Sequence, residues 1–253
     1  MRGYLTKAFV LRKFDLREAD QIITLYTAEK GKVRAIAKGI KKSGSRNVGN
    51  LELFNLIEVF LAPGKNLEIV TQVKVAKSFA KLKGDLKQIT LLYYLADLVD
   101  HLIAEDEKVN GLFELLEDFL VSLERESVEG NRSLRLRMFE LKLIDTLGFA
   151  LEIYHCVHCR KELILGEPKF FAVAKGGIVC NQCRGEDPRI IRVSNNSVKV
   201  LRLMLTCDFD FLIKLKVAPA DFCLVSEIIK QHLLWILERQ LKTLKVIHAL
   251  NQV

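Results

Sequence analysis

Four cysteines stand in two pairs of equal spacing, Cys156-x2-Cys159 and Cys180-x2-Cys183, in the stretch HCVHCRKELILGEPKFFAVAKGGIVCNQCRG. A two-residue gap lets both thiolates of one turn reach a single ion, and two such turns complete a tetrahedral shell of four sulfurs, the set that favours zinc. Gly176-Gly177 before the second pair and Gly185 after it suit tight turns. Two disulfides are an alternative pairing that a cytoplasmic setting opposes, and a single redox-active CxxC does not account for the second pair. A shell closed by four thiolates has no exchangeable position, so the metal it implies is structural. On that reading His155 and His158 are solvated neighbours. Cys207 and Cys223 lie in apolar helical surroundings and are expected to be core thiols.

The second constellation is cationic. Between Lys30 and Arg46, in KGKVRAIAKGIKKSGSR, stand Lys30, Lys32, Arg34, Lys38, Lys41, Lys42 and Arg46, with no acid among them. Residues 1–80 carry 15 basic and 7 acidic side chains, and the remaining 173 residues carry 24 of each. The net charge of +8 therefore belongs to the first third of the chain, which points to a polyanionic partner, nucleic acid before membrane. On a strand, Lys32, Arg34 and Lys38 share one face while Val33, Ala35 and Ala37 share the other. With Lys41, Lys42 and Arg46 they make a stripe able to follow a phosphate backbone, and Ser43, Ser45 and nearby N–H groups add donors. Aromatic side chains for base stacking are not evident in the stretch, since Tyr26, Phe54 and Phe60 read as core, so binding is expected to be mainly electrostatic. Gly39 and Gly44 have the interval of a phosphate-binding loop, but Ser45 stands where its lysine would be. HExxH, GxSxG and credibly spaced paired carboxylates are absent, so no sequence feature calls for catalysis.

The elements that must carry these groups change character near residue 80. In NLEIVTQVKVAKS, Leu67, Ile69, Thr71, Val73 and Val75 alternate with Glu68, Gln72 and Lys74, with Val70 as the exception. QIITLYTAEKGKVRAIAKG reads as a hairpin turning at Glu29-Lys30-Gly31-Lys32, and LFNLIEVFLAPGKNLEIV as another turning at Pro63-Gly64. With a first strand near Tyr4–Leu11 these make five antiparallel strands in about 80 residues, the size of a closed barrel of the OB type. Beyond Gly84 apolar residues recur at three- and four-residue spacing, with Asp85 placed to cap a helix. Helices are expected over 85–106, in NGLFELLEDFLVSLERES and RSLRLRMFELKLIDTLGF, from Ser194 to Thr206 and from Pro219 to Leu250. The fold class read from this is α+β multidomain: a five-stranded OB-fold barrel at 1–80, then an all-α domain at 81–253 with an inserted four-cysteine zinc module at about 150–190. No stretch reaches 18 uninterrupted apolar residues and no secretory leader is evident, so a cytoplasmic protein is expected.

GKVRAIAKGIKKSGSR, then LELFNLIEVFLAPGKNLEIVTQVKVAKSF, then helices enclosing CxxC…CxxC, resemble the bacterial RecO family of DNA-repair recombination mediators, over essentially the whole chain and in order. AKGIKKSGSR and APGKNLEIVTQ are the most specific segments. The resemblance implies an N-terminal OB-fold, a helical domain and a zinc module. It implies binding of single- and double-stranded DNA, annealing of complementary strands without ATP, partnership with RecR, and help in loading RecA onto SSB-coated DNA near the nucleoid. The family's basic barrel face falls on Lys32, Arg34, Lys38, Lys41, Lys42 and Arg46, and its metal ligands on Cys156, Cys159, Cys180 and Cys183. Some relatives lack these cysteines. The acidic, Phe-ended SSB tail needs cations beside apolar groups, which Arg132, Arg135 and Arg137 among Leu134, Leu136 and Met138 offer, with a solvated helix face as the alternative. The competing readings are an OB-plus-zinc RNA-binding or transcription-associated module and a metal-dependent nuclease or hydrolase. The first is tested by RNA competition and the second by DNA cleavage with Mg²⁺.

Overall fold

The computed structural model describes residues 3–42, 49–125, 132–164, 166–186, 189–213 and 215–237. Five strands, β1 (Tyr4–Asp15), β2 (Gln21–Thr27), β3 (Gly31–Ala37), β4 (Leu56–Ala62) and β5 (Glu68–Lys77), close a barrel in the order β1-β2-β3-β5-β4. Four pairings are antiparallel, but the closing pair β3–β5 is parallel, with Ala35 opposite Glu68 and Ile36 opposite Ile69. The all-antiparallel expectation is corrected at this seam, where the strand returning from β4 meets β3 from its free side. Ala8, Val10, Ile23, Leu25, Val33, Ala35, Ile57 and Val59 fill the interior with almost no exposure. Small side chains on β3 let a narrow barrel close.

Val70 finds its reason in β5. A register shift between Phe60 and Leu61 pairs Leu61 with Val70 but Phe60 with Gln72. Thr71 is thus the extra residue of a bulge, which reverses the alternation. Val70, Val73 and Val75 all pack against the core, whereas Ile69, assigned inward by strict alternation, stands opposite Ala62 and Ile36 on the other face. At the first hairpin Gly31 has φ +71°, and a Cβ there would lie 1.9 Å from the Glu107 carbonyl oxygen. The turn and the close approach of the 104–107 segment both require glycine.

Compactness groups the chain through Phe113 with the barrel and begins a second unit at Glu114. The first unit contains α1 (Ala80–Lys83) and α2 (Leu86–Leu102), the latter capped by Asp85, whose carboxylate accepts from Gln88 N–H at 2.9 Å. α3 (Leu112–Arg125) begins at the end of the first unit. The second unit holds the rest of α3, α4 (Arg132–Thr146), α5 (Asn195–Thr206) and α6 (Pro219–Leu237). A three-stranded sheet, β7-β6-β8, made of β6 (Lys169–Ala172), β7 (Gly177–Cys180) and β8 (Ile190–Val193), interrupts these helices. The expected extension of the last helix to Leu250 lies outside the described residues. Among the described residues no helix is long and apolar enough to cross a membrane.

Candidate nucleic-acid interface and metal centre

Cross-strand registers divide the outside of β1-β2-β3 into three rows, because directly opposed residues of an antiparallel ladder share a face. The first row is Phe9–Tyr26–Lys32, the second Arg12–Thr24–Arg34 and the third Phe14–Ile22–Ile36. The sequence places Lys32 and Arg34 on the outward face, and they are there. What the sequence does not reveal is that α2 and the segment after it close over Lys32 of the first row and Arg12 of the second.

Lys32 is 8% exposed. Its ammonium donates to the Asp100 and Ile103 carbonyls at 2.6 and 2.8 Å and pairs with the Asp100 carboxylate at 2.9 Å. Its backbone N–H donates to the Glu107 carbonyl, and its carbonyl accepts from Asp106 N–H. Arg12 bridges Asp97 and Asp100. These cations are consumed in fixing α2 to the barrel, so Lys32 is corrected from partner-facing cation to internal tie. Arg34 is an intermediate case, half exposed and 3.9 Å from Glu105.

Past the third row the face opens. Lys38, Lys41 and Lys42 are exposed. The loop carrying them is fastened to the β1–β2 turn: Gly39 N–H donates to the Asp20 carboxylate at 2.7 Å, Lys41 N–H to the Ala19 carbonyl at 3.1 Å, and the Lys41 ammonium to Asp15 at 2.7 Å. The last pair is exposed on both sides and worth little against water, so a phosphate can replace the carboxylate. Arg46, Ser43 and Ser45 lie outside the described residues. The structure thus leaves Lys38, Lys41 and Lys42 exposed on one fastened loop, Arg34 half exposed on the second row and Lys32 buried. Tyr26 and Phe54 are buried as expected. The aromatic that sequence reasoning overlooked is Phe14, on the open third row. Its signal was its place between Arg12-Lys13 and Asp15 at the end of β1, where a core ring would be out of keeping.

The four cysteines converge in the second unit. Their sulfurs all lie within 4.8 Å of one another, with Cys159 and Cys180 3.8 Å apart. Bonds of about 2.3 Å to a tetrahedral zinc place sulfurs about 3.8 Å apart, so the donors fit such an ion. The first knuckle closes through Cys156 N–H to Lys161 O and Arg160 N–H to Cys156 O, with Arg160 at φ +61°. Cys180 N–H points at the Cys156 sulfur at 3.4 Å. Burial opposes the Cys156 thiolate, but backbone N–H groups of Cys180, Cys159 and His158 outweigh it and bring its pKa down to about 6. Burial and then the neighbouring thiols push Cys183 up to about 12. A dication among the four would supply the positive charge the cluster lacks. His155 is exposed and lies 3.7 Å from Glu152, outside the four-sulfur group.

Elsewhere two of the three arginines proposed to meet an acidic tail are interior, and Arg132 at the start of α4 is half-buried. Arg135 is fully buried, donating to the Ser122 carbonyl at 3.2 Å, and Arg137 pairs with buried Glu140 at 2.9 Å. α4 is buried on nearly every side, which the apolar spacing around its charges did not betray. Cys223 is exposed and Cys207 half-buried, correcting their reading as core thiols.

Residues 1–79 match the family described as Recombination protein O N terminal, and residues 83–245 that described as Recombination protein O C terminal. The chain belongs to the RecO family. It is 33% identical to the DNA repair protein RecO of Desulforamulus reducens over 96% of this chain and 93% of that one. It is also 33% identical to the Roseiflexus RecO over 100% and 87%, and 30% identical to a Dehalococcoides mccartyi RecO over 98% and 96%. RecO membership makes this a DNA-repair family protein whose closed N-terminal barrel is an OB-fold, and the closeness of its own four sulfurs makes them able to hold a metal ion.

Proposed function

We propose that this chain is a DNA-binding recombination mediator. It binds single- and double-stranded DNA, anneals complementary strands without ATP, and with RecR assists RecA loading on SSB-coated DNA, touching the acidic SSB tail. It works at the nucleoid in the cytoplasm and performs no bond-making chemistry. The functional division is 1–80 for the barrel and 81–253 for the helical part. The DNA contacts are Lys38, Lys41, Lys42 and Arg46 with Arg34 at the margin, and Cys156, Cys159, Cys180 and Cys183 hold a structural Zn²⁺.

The observation that carries this reading is the fastened loop with three exposed lysines on the uncovered end of the barrel face. Cations there release counterions from each strand and reduce the repulsion between two of them, so base pairing supplies the driving energy. Four phosphates neutralised give a single-strand salt slope near −3, hence a loss of roughly 50-fold in affinity between about 50 and 200 mM salt. The test is ATP-free annealing of SSB-coated complementary strands by the parent chain and by Lys38→Glu/Lys42→Glu. The double variant should anneal slowly, with a shallower salt slope and losses alike across unrelated sequences. Unchanged annealing, or a salt-independent affinity in the parent, would overturn the reading, and preference for RNA over DNA of equal length would favour an RNA-binding module.

A further inference from the structure

The third row of the barrel face remains without a role in phosphate binding. Phe14 is 48% exposed and Leu16, just beyond it, 41%. Ile22 and Ile36 are half-buried, and the row continues across the parallel seam to half-buried Ile69. The first row and the Arg12–Thr24 part of the second are covered by protein, Phe9 lying against Phe54, Phe79 and Phe113, and Arg12 against Asp97 and Asp100, while Arg34 at the end of the second row is half exposed. The third is left to solvent. Phe14, Ile22 and Ile36 span three strands, about 10 Å, room for about two bases.

We infer that Phe14, Ile22 and Ile36 form a base-stacking platform for single-stranded nucleic acid, beside the phosphate contacts of Lys38, Lys41 and Lys42. Charge complementarity selects this occupant. An apolar row bordered by three exposed ammonium groups suits a ligand with flat apolar faces along a polyanionic backbone. The inference rests on the DNA-binding reading above and adds strand selectivity to it. Lysines attract single and double strands alike, whereas the bases of a duplex are already stacked and cannot lie on Phe14. The barrel therefore tells one strand from two through its apolar row.

The experiment uses the full chain carrying Phe14→Ala, titrated with an oligo(dT) and with a duplex of equal length at several salt concentrations. Its thermal unfolding is measured alongside, since Phe14 is an exposed residue whose truncation leaves the fold intact. Single-strand affinity should fall roughly 5- to 100-fold, with an unchanged salt slope and duplex affinity held within about twofold. In a Trp235→Phe background, Phe14→Trp should restore single-strand affinity, and its fluorescence should be quenched by oligo(dT) and not by duplex. Equal losses for both DNA forms, no loss for either, or an unquenched tryptophan would each overturn the platform. Self-association of the parent abolished by Phe14→Ala, with oligonucleotide affinity intact, would assign the row to a second copy and equally overturn it. If Lys38→Glu/Lys42→Glu weakens binding while Phe14→Ala does not, the platform alone falls. If neither changes binding, the whole interface is misplaced.

Discussion

Two lysines six residues apart on one face have opposite work. Lys32 donates to two carbonyls and an acid at the C-terminal end of α2, and Lys38 stands in solvent. Removing one partner from a buried charge cluster leaves the others unsatisfied. Lys32→Met should therefore lower unfolding free energy by about 2–3 kcal/mol, with the DNA affinity of the folded protein changed little. Lys38→Glu should do the reverse, holding stability within about 0.5 kcal/mol while affinity drops. Urea unfolding and DNA titration of both variants decide it, and a Lys32 variant of full stability with weakened DNA binding would return that side chain to the interface. The difference was invisible in KVRAIAKG itself. Alternation fixes which face Lys32 takes, but its neighbours Asp100 and Ile103 are about 70 residues away in sequence, and only the docking of α2 decides that half the face is closed.

Among the elements, strands and the α2 cap were legible because their causes are local: Asp85 three residues before Gln88, Gly31 in a turn. The bulge at Thr71 was not, since a one-residue register shift depends on what β4 offers opposite, and Val70 alone hinted at it. The same distinction governs α6. Its periodicity was plain, yet what it holds depends on His232, which is buried edge-on to Phe171 of β6, parallel to Trp235, and 3.2 Å from the Phe149 carbonyl. A Cβ on Gly176 would come within 2.7 Å of its ring. Burial lowers the His232 pKa below 6.5, with the Phe149 and Val173 carbonyls offsetting part of this. The sign follows. The unfolded chain takes up the proton first as pH falls, so the stability from neutral His232 is complete above pH 6.5 and declines below it towards the lowered folded value. His232→Gln should be less stable than the parent at pH 7.5 and lose less between pH 7.5 and 5.5, read from urea midpoints. Parallel pH curves would remove His232 from this role.

Across the whole molecule, charge and metal chemistry fall in different compact units. The basic excess and its open lysines belong to the unit ending at Phe113, and all four sulfurs to the unit beginning at Glu114. The cysteine spacing made the second cluster readable before any fold was known, because CxxC has few other uses when paired at this distance. A structural metal contributes its binding free energy to folding, on the order of 10 kcal/mol, and it does so where its ligands are. Cys156→Ser/Cys159→Ser should therefore lose bound zinc and lower the thermal transition of the second unit sharply. The loop with Lys38, Lys41 and Lys42, fastened by Asp20 and Ala19, contains no element of the metal centre. Single-strand affinity of the folded variant should consequently remain within about twofold of the parent at equal salt. Calorimetry, metal analysis and DNA titration at a temperature below the lowered transition separate the two effects. A variant of parental stability that has lost DNA affinity would mean that the metal acts on the interface, and that the barrel's lysines are insufficient by themselves.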